Sequence, residues 1–226
     1  MGELQRIKSG ISGLDKLIDG GFPKDDTVMV RGSTGTGKTL FCLQYLYNGA
    51  TELDEPGIFI SFGESKDAIF QHGKIFSWDF EKLAQENKFA IIRYEPHEVA
   101  SIMEEGGGTI RDTIEQTGAK RLVIDSITSY EMVFENKYKA SESILSLFKM
   151  LRGWDITTVV SSEYPVTFKK STGGKLGSLV DGIINMYYTR NKSHRARSLE
   201  IIKMRDTAHD DTINSFVISK KGIEVG

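Results

Sequence analysis

The amino-acid sequence predicts a single α/β domain with a mainly parallel central sheet, helices on its faces and an antiparallel extension at its C-terminal end. Two observations predict this fold class. Apolar strand-like runs alternate with helical segments from residue 27 to about residue 163, which is typical of a parallel sheet. Three or four strand-like runs then follow one another at hairpin spacing, which indicates antiparallel strands at one edge of the sheet.

Length and composition predict one domain rather than several. The chain has 226 residues, of which 39% are hydrophobic, so it can bury a substantial core and is too apolar to be disordered. We therefore treat residues 1–226 as one domain. The sequence has no apolar run long enough to span a bilayer, and charges stand near the N-terminus where a signal peptide has an apolar run. We expect a cytoplasmic protein without membrane contact.

The strands and helices are each predicted from a local pattern. Ser141 is expected to cap a helix over residues 142–152, in which apolar residues recur at helical spacing. Thr109 and Asp112 resemble a capping box at the start of an earlier helix. The predicted parallel strands cover residues 27–31, 58–62, 90–94, 122–125 and 157–161, and the antiparallel strands cover residues 183–189, 198–204 and 214–218, with a short final strand after them.

A glycine-rich loop between the first strand and an apolar helix gives the strongest functional signal. It fits the pattern G-x-x-x-x-G-K-[ST], whose glycines let backbone N–H groups point inward at phosphate oxygens. The helix that follows presents its positive end to the same anion. Lys38 is expected to reach the β- and γ-phosphates of ATP, and the hydroxyl of Thr39 is expected to bind Mg²⁺. The predicted nucleotide-binding residues are Gly32, Ser33, Thr34, Gly35, Thr36, Gly37, Lys38, Thr39 and Leu40.

A carboxylate ends the fourth predicted strand. Residues 121–125 form a buried-strand run whose last residue is Asp125. Many strands end in aspartate, but such a strand downstream of a phosphate-binding loop is typical of proteins that hold the water shell of Mg²⁺. We therefore predict that Asp125 and Thr39 form a magnesium site and that Asp125 also lies at the bound nucleotide.

The segment before the glycine-rich loop resembles a known family. It reads SGISGLDKLIDGGFP and, with Ser126 directly after Asp125, is similar to RecA, RadA and above all KaiC proteins. In that family a segment S-G-x-x-G-L-D-x-L-x-x-G-G-x-P leads into the first core strand. The resemblance runs over most of the chain and implies a RecA-type ATPase domain that assembles into a hexameric ring. The matching residues are Ser9, Gly10, Gly13, Leu14, Asp15, Gly20, Gly21 and Pro23.

The end of the second predicted strand departs from the family pattern. KaiC-like proteins usually carry two adjacent glutamates here, whereas this chain has Gly63 followed by Glu64. The first position also corresponds to the water-activating glutamate of RecA and RadA, so the resemblance implies slow hydrolysis. A general base must lie within about 3 Å of the attacking water or act through a further water. Glu64 is therefore either that base or a helix-capping or surface carboxylate.

A second family motif lies near the C-terminal end. The run KMRDTAH, which begins at Lys203, resembles the K-x-R-G-T-x-H run that KaiC projects toward the nucleotide of the neighbouring subunit. The resemblance implies that Lys203 and Arg205 stabilise transition-state charge in the neighbour's site, and that Thr207 and His209 contact the same nucleotide. Asp206 replaces the usual glycine and places a negative charge near this contact. The alternative is that Lys203 and Arg205 are solvated residues of an edge strand.

Two basic segments leave a nucleic-acid alternative open. Residues 190–205 contain six basic residues and one acidic residue. Residues 168–175 contain three lysines and flexible glycines at the position where RecA recombinases place a loop that holds single-stranded DNA. A charge run is usually a solvated face, and the net charge of −2 gives no overall attraction to nucleic acid. A solvated or subunit-facing role is therefore favoured over DNA contact.

These observations support one leading hypothesis and two alternatives. The leading hypothesis is a KaiC-like ATPase that binds Mg-ATP at Lys38, Thr39 and Asp125, hydrolyses it slowly with Glu64, and shares its sites between copies. The first alternative is a nucleotide-gated switch that binds ATP, engages a protein partner and hardly hydrolyses; Gly63 motivates it. The second is a RadA paralogue that binds single-stranded DNA.

Overall fold

The computed structural model describes residues 4–95, 98, 106–166, 174–191 and 194–226 and shows a nine-stranded sheet with helices on both faces. None of the helices in these ranges is long and apolar enough to cross a membrane. The strands are β1 (Arg6–Ile7), β2 (Phe22–Pro23), β3 (Thr27–Gly32), β4 (Gly57–Ser61), β5 (Phe89–Arg93), β6 (Arg121–Asp125), β7 (Thr157–Ser162), β8 (Gly182–Asn191), β9 (His194–Met204), β10 (Ile213–Ser219) and β11 (Gly222–Val225). The helices are α1 (Leu14–Leu17), α2 (Lys38–Glu52), α3 (Lys66–Ile75), α4 (Phe80–Gln85), α5 (Gly108–Thr117), α6 (Ile127–Met132), α7 (Lys137–Arg152) and α8 (Gly174–Gly177).

The main sheet is parallel over six strands and antiparallel at one edge. Its strand order is β11-β10-β9-β8-β3-β7-β6-β4-β5. The six strands from β8 to β5 in this order run parallel to one another. The pairs β8–β9, β9–β10 and β10–β11 are antiparallel. The predicted fold class, a mainly parallel sheet with a C-terminal antiparallel extension, is confirmed. The prediction that the antiparallel part begins with residues 183–189 is wrong, because β8 pairs in parallel with β3 and only its other side pairs in antiparallel fashion, with β9. Strands β1 and β2 form a separate two-stranded sheet.

The buried strands divide the core into two layers, because successive side chains of a strand point to opposite faces. Along β3, Val28 and Val30 pack into the layer that contains Phe41 of α2. Met29 packs into the other layer, which contains Leu147 of α7. All five side chains are almost completely buried, and full burial of each large apolar side chain contributes about 1.5–3 kcal/mol. Helices on both faces thus fix the sheet on which the site is built.

Four loops that follow parallel strands lie side by side at the carboxyl-end edge of the sheet, the edge formed by the carboxyl ends of these strands. Strands β3, β7, β6 and β4 are consecutive neighbours, and the carboxyl ends of parallel strands meet at the same edge. The segments that follow Gly32, Ser162, Asp125 and Ser61 therefore come together. This edge carries the candidate site.

Two predicted helix starts are wrong. Helix α7 begins well before Ser141, because Asn136 is its N-cap and accepts a backbone N–H bond of 2.9 Å. Ser141 lies inside the helix, and its hydroxyl donates to Lys137 O at 2.8 Å. Helix α5 starts before Thr109 with a glycine at its N-cap, so Thr109 and Asp112 form no capping box.

Candidate active site

The loop between β3 and α2 turns too tightly for side chains at two of its glycines. Gly37, the N-cap of α2, has φ of 105°, in the left-handed region that favours glycine. A Cβ at Gly32 would lie 2.6 Å from Thr36 Oγ1 and 2.7 Å from Met186 O. The loop therefore leads directly into the first turn of α2, where backbone N–H groups have no partner within a helix. Such a turn is a ready site for phosphate.

Lys38 is buried at this loop. Its side chain is 7% exposed, and its Nζ donates to Ser33 O at 3.2 Å and lies 4.0 Å from Glu163 Oε1. A buried ammonium needs negative partners, and a half-exposed carboxylate at this distance is a weak one. Lys38 is therefore arranged to take a further anionic ligand, as the motif predicts for phosphate oxygens.

Thr39 and Asp125 meet at the start of α2. Thr39 Oγ1 donates to Asp125 Oδ2 at 2.8 Å, and Ser161 Oγ donates to Asp125 Oδ1. Hydroxyls thus hold both oxygens of the carboxylate. A hydroxyl and a carboxylate are the oxygen ligands that Mg²⁺ prefers, so the residues present fit the predicted metal. No sequence pattern indicates this role for Ser161, because a serine inside a buried strand belongs to no motif.

A cavity of about 380 Å³ lies over these groups. This volume is within the range of small-molecule sites, about 300–1,000 Å³. The structure thus brings together the phosphate loop, the predicted magnesium ligands and the predicted base. The lining includes Thr34, Gly35, Gly37, Lys38, Thr39, Leu40, Ser61, Gly63, Glu64, Asp125, Ser126 and Glu163.

Glu64 stands on the wall of the cavity, just beyond the end of β4. Ser61 fixes this turn, because its Oγ donates to Glu64 O at 2.8 Å and accepts from Glu64 N at 2.9 Å. The N-cap of α3 is Ser65, whose Oγ accepts from Ala68 N at 3.2 Å. The helix-capping interpretation of Glu64 is therefore wrong, whereas the general base and the surface carboxylate both stay open as predictions for this residue.

His72 is a neighbour of Glu64 that the sequence did not reveal. His72 Nδ1 lies 3.4 Å from Glu64 Oε2, and both side chains are 44% exposed. Burial raises the pKa of Glu64, with His72 opposing and Asp125 adding to the upward shift. A carboxylate with a raised pKa accepts a proton more readily. The pair forms about two turns into α3, so only the placement of that helix could have predicted it.

Lys203 and Arg205 lie at the amino-end edge of the sheet, at the opposite end of the strands from the phosphate loop. The end of β9 that leads to Arg205 pairs with Gly182, where β8 begins at the amino edge of the parallel strands. Lys203 Nζ donates to the backbone carbonyls of Gly177, at the end of α8, and of Val180, at 3.2 and 2.6 Å. The structure therefore does not bring Lys203 and Arg205 to the phosphate loop of their own chain.

Thr207 and His209 lie in the loop after β9. Thr207 Oγ1 accepts from Arg6 NH1 at 3.1 Å and donates to Arg205 O at 2.9 Å. His209 Nδ1 lies 3.0 Å from Asp210 O. These contacts lie at the amino-end edge of the sheet and involve no residue of the cavity. The role of Thr207 and His209 toward a neighbour's nucleotide stays a prediction.

Two residues of the basic segment pack beside the phosphate loop. The guanidinium carbons of Arg195 and Arg197 lie 4.9 and 4.1 Å from the centre of the Tyr188 ring, and Arg197 NH2 donates to Gly35 O at 3.3 Å. These contacts tie the β8–β9 hairpin to the loop. The side chains of residues 168–175, the other basic segment, lie outside what the structure describes, so DNA binding there stays a prediction.

A cluster of charged residues lies at the amino-end edge of the sheet, where Asp26 precedes β3. Asp26 is partly buried and faces Asp181, Arg152, Arg205 and Asp206. Burial and then the charge of Asp181 raise the pKa of Asp26 to about 6, against the opposing charges of the two arginines. The folded chain therefore disfavours the ionised form of Asp26.

Replacing Asp26 with asparagine is expected to stabilise the protein above about pH 6. Because the pKa of Asp26 is higher in the folded chain, the folded state binds more protons between about pH 4 and pH 6, and the free energy of unfolding falls as pH rises through this range. Asparagine removes that loss. Discounted for solvent screening, the gain should be about 1 kcal/mol near pH 7.5 and close to zero near pH 4.

Urea unfolding at the two pH values measures this difference. Asp155→Asn, which alters an exposed aspartate, is the matched control. A gain for Asp26→Asn that is equal at both pH values would contradict the assignment of this pKa.

Comparison with known proteins agrees with this geometry. A family model described as "ATPase: KaiC" matches residues 7–226. The crystal structure of the KaiC-like protein PH0186 from Pyrococcus horikoshii OT3 superposes with a TM-score of 0.89 at 36% sequence identity, over 99% of this chain and 100% of that one. Nearly the whole length of the chain is therefore shared with a KaiC-like protein.

Two curated relatives extend the comparison. The UPF0273 protein MJ1359 of Methanocaldococcus jannaschii is 31% identical over 98% of this chain and 96% of its own length. The circadian clock oscillator protein KaiC of Prochlorococcus marinus subsp. pastoris is 34% identical over 99% of this chain and 45% of its own length. This chain thus spans less than half of that clock protein and nearly all of the UPF0273 protein.

Proposed function

The chain belongs to the KaiC family of ATPases, and from this premise we propose that it binds Mg-ATP at the phosphate loop, hydrolyses it slowly and shares its sites between copies. One observation carries the proposal. The Thr39 hydroxyl meets the Asp125 carboxylate at 2.8 Å, beside the buried Lys38. This is the arrangement that a phosphate loop needs to hold a nucleotide with its metal.

Each residue of the cavity has a distinct role in this proposal. Lys38 and the backbone N–H groups of the loop bind phosphate oxygens, while Thr39 and Asp125 hold Mg²⁺. The metal, when bound, neutralises charge on the phosphates. Glu64 orients and deprotonates the attacking water from the wall of the cavity. The slow rate follows from Gly63, which supplies no carboxylate at the first position of the family's glutamate pair.

Sharing between copies follows from the position of Lys203 and Arg205. Both lie at the amino-end edge of the sheet, away from their own phosphate loop, so they can contact a nucleotide only if a second copy presents its loop to them. Thr207 and His209 lie at the same edge and would contact the same nucleotide. We propose a homo-oligomer in which each nucleotide lies between two copies, closed into a hexameric ring as in the family resemblance.

A non-hydrolysing switch is the second candidate. Gly63 favours it, because the cavity contains Glu64 in place of a pair of adjacent glutamates. In this case ATP binding alone would change how the protein assembles or engages a protein partner. The two candidates share one nucleotide site and differ only in turnover.

Parallel measurements of ATP binding and steady-state phosphate release separate the two candidates. We expect the wild-type protein to bind Mg-ATP and to release phosphate, and Lys38→Ala to do neither, since the substitution removes the buried ammonium that lines the cavity beside Thr39. Tight ATP binding without phosphate release above the Lys38→Ala background would favour the switch. Phosphate release that persists in Lys38→Ala would refute this site.

A further inference from the structure

We propose that Asp181 is a positioning residue that holds Arg205 in the orientation in which it reaches the nucleotide of a neighbouring copy. This inference rests on the shared site of the proposed function. Asp181 touches neither the phosphate loop nor the cavity of its own chain, so its effect on hydrolysis would pass through Arg205.

Asp181 is fixed to the sheet before it meets any arginine. Its residue is 4% exposed, its backbone N–H donates to Thr27 O at 2.9 Å, and its Oδ2 accepts from Thr27 N at 3.1 Å. Both the backbone and the side chain of Asp181 are therefore hydrogen-bonded to the first residue of β3. A carboxylate held this way is a rigid anchor, since its rotamer is set before a partner binds.

Asp181 accepts two hydrogen bonds from Arg205, one at its carboxylate and one at its backbone carbonyl. Arg205 NH1 donates to Asp181 Oδ1 at 2.6 Å, and the Arg205 backbone N–H donates to Asp181 O at 3.1 Å. A bond between a guanidinium and a carboxylate is charge-assisted and about twice as strong as a neutral hydrogen bond. Both the start of the side chain and its charged end are thus placed relative to the sheet.

Arg205 nonetheless presents part of its guanidinium outward. Its side chain is 48% exposed, against 5% for Asp181, and within the described residues Asp181 is its only side-chain hydrogen-bond partner. The remaining donors can therefore meet an oxygen anion of another molecule. Because Asp181 has already ordered this long side chain, less rotamer entropy is lost when Arg205 reaches a phosphate.

Arg152 balances the charge of the anchor. Its NH2 donates to Asp181 Oδ1 and Oδ2 at 2.8 and 3.0 Å from the last turn of α7. A carboxylate with two guanidinium partners does not need Arg205 to offset its buried charge. Arg205 can therefore share its charge with a phosphate without leaving Asp181 unpaired.

The test uses two full-length variants with complementary defects. Arg205→Ala keeps an intact phosphate loop, and Lys38→Ala keeps an intact Arg205. If sites are shared, each variant alone is nearly inactive, and co-assembled mixtures release phosphate because one copy supplies Arg205 to the loop of the other. Asp181→Asn is then added to one variant or to the other.

We expect the two additions to have different effects. In the Lys38→Ala copy, which supplies Arg205, Asp181→Asn should lower phosphate release by the mixture by roughly 10- to 100-fold, as a misplaced catalytic group does. In the Arg205→Ala copy it should change release little, because that copy has no arginine to hold. ATP affinity should stay the same in both arms.

Each other result overturns the inference in a distinguishable way. Equal phosphate release with Asp181→Asn in the supplying copy would show that Asp181 does not position Arg205. A loss in both arms would assign Asp181 to folding or assembly. An inactive parent mixture would instead remove the shared site of the proposed function. If Asp181→Asn does not fold, Asp181→Glu, which displaces the carboxylate by one methylene, carries the same two arms.

Discussion

Arg205→Ala is expected to lower kcat for phosphate release on the order of 1,000-fold, the effect of removing an arginine that stabilises transition-state charge. The reason is charge: without this guanidinium, negative charge that develops on the transferring phosphoryl group loses one of its cations. ATP affinity should change by only a few-fold, because Lys38 and the loop backbone still bind the phosphates. The loss therefore falls on kcat rather than on binding.

The fold should tolerate this change. Asp181 keeps its bonds to Thr27 and Arg152 when Arg205 is removed, so no buried carboxylate is left unpaired. Arg111→Ala is the matched control, because it removes from α5 a mostly exposed arginine whose side chain does not line the cavity. Steady-state phosphate release and ATP titration measure the two parameters. An Arg205→Ala protein with the kcat of the wild type would contradict the role of Arg205.

Gly63→Glu is expected to raise kcat by roughly 10-fold or more, because a well-placed general base contributes about 100- to 10,000-fold. The substitution restores the pair of adjacent glutamates usual in the family. Space is available, since no described residue other than its two chain neighbours has an atom within 4 Å of a Cβ built at Gly63. Gly63 is also outside the left-handed region, so its backbone does not require glycine.

Gly63→Gln separates chemistry from side-chain size. Glutamine has the shape of glutamate but cannot take a proton from water, so it should leave kcat near the wild-type value. Phosphate release at saturating Mg-ATP compares the three proteins. Equal rates for the glutamate and glutamine variants would mean that the missing carboxylate does not limit hydrolysis.

Much of the fold follows from local patterns in the sequence. Each predicted parallel strand appears within one or two residues of its expected bounds, because strand and helix periods differ and the buried strands are strongly apolar. The two predictions of helix starts are wrong for a local reason. Ser141 and Thr109 are good capping residues, but each helix begins earlier in the chain, with Asn136 and Gly107 as the N-caps.

The site is predicted only where its residues form a motif. The phosphate loop and Asp125 can be predicted from the sequence, because the way in which a strand, a loop and a helix hold a phosphate fixes the residue types and their spacing. The neighbours Ser161, His72 and Asp181 carry no such spacing. Each meets its partner across the fold, so the contact depends on strand order and helix placement rather than on nearby sequence.

The shared-site ATPase is tested most directly by steady-state phosphate release per chain with Mg-ATP, measured over a wide range of protein concentrations beside Lys38→Ala. The proposed function predicts Lys38-dependent release whose specific activity climbs with concentration and then levels off, as copies assemble and supply Arg205 to one another. A specific activity that is the same in dilute monomer as in concentrated protein would contradict it.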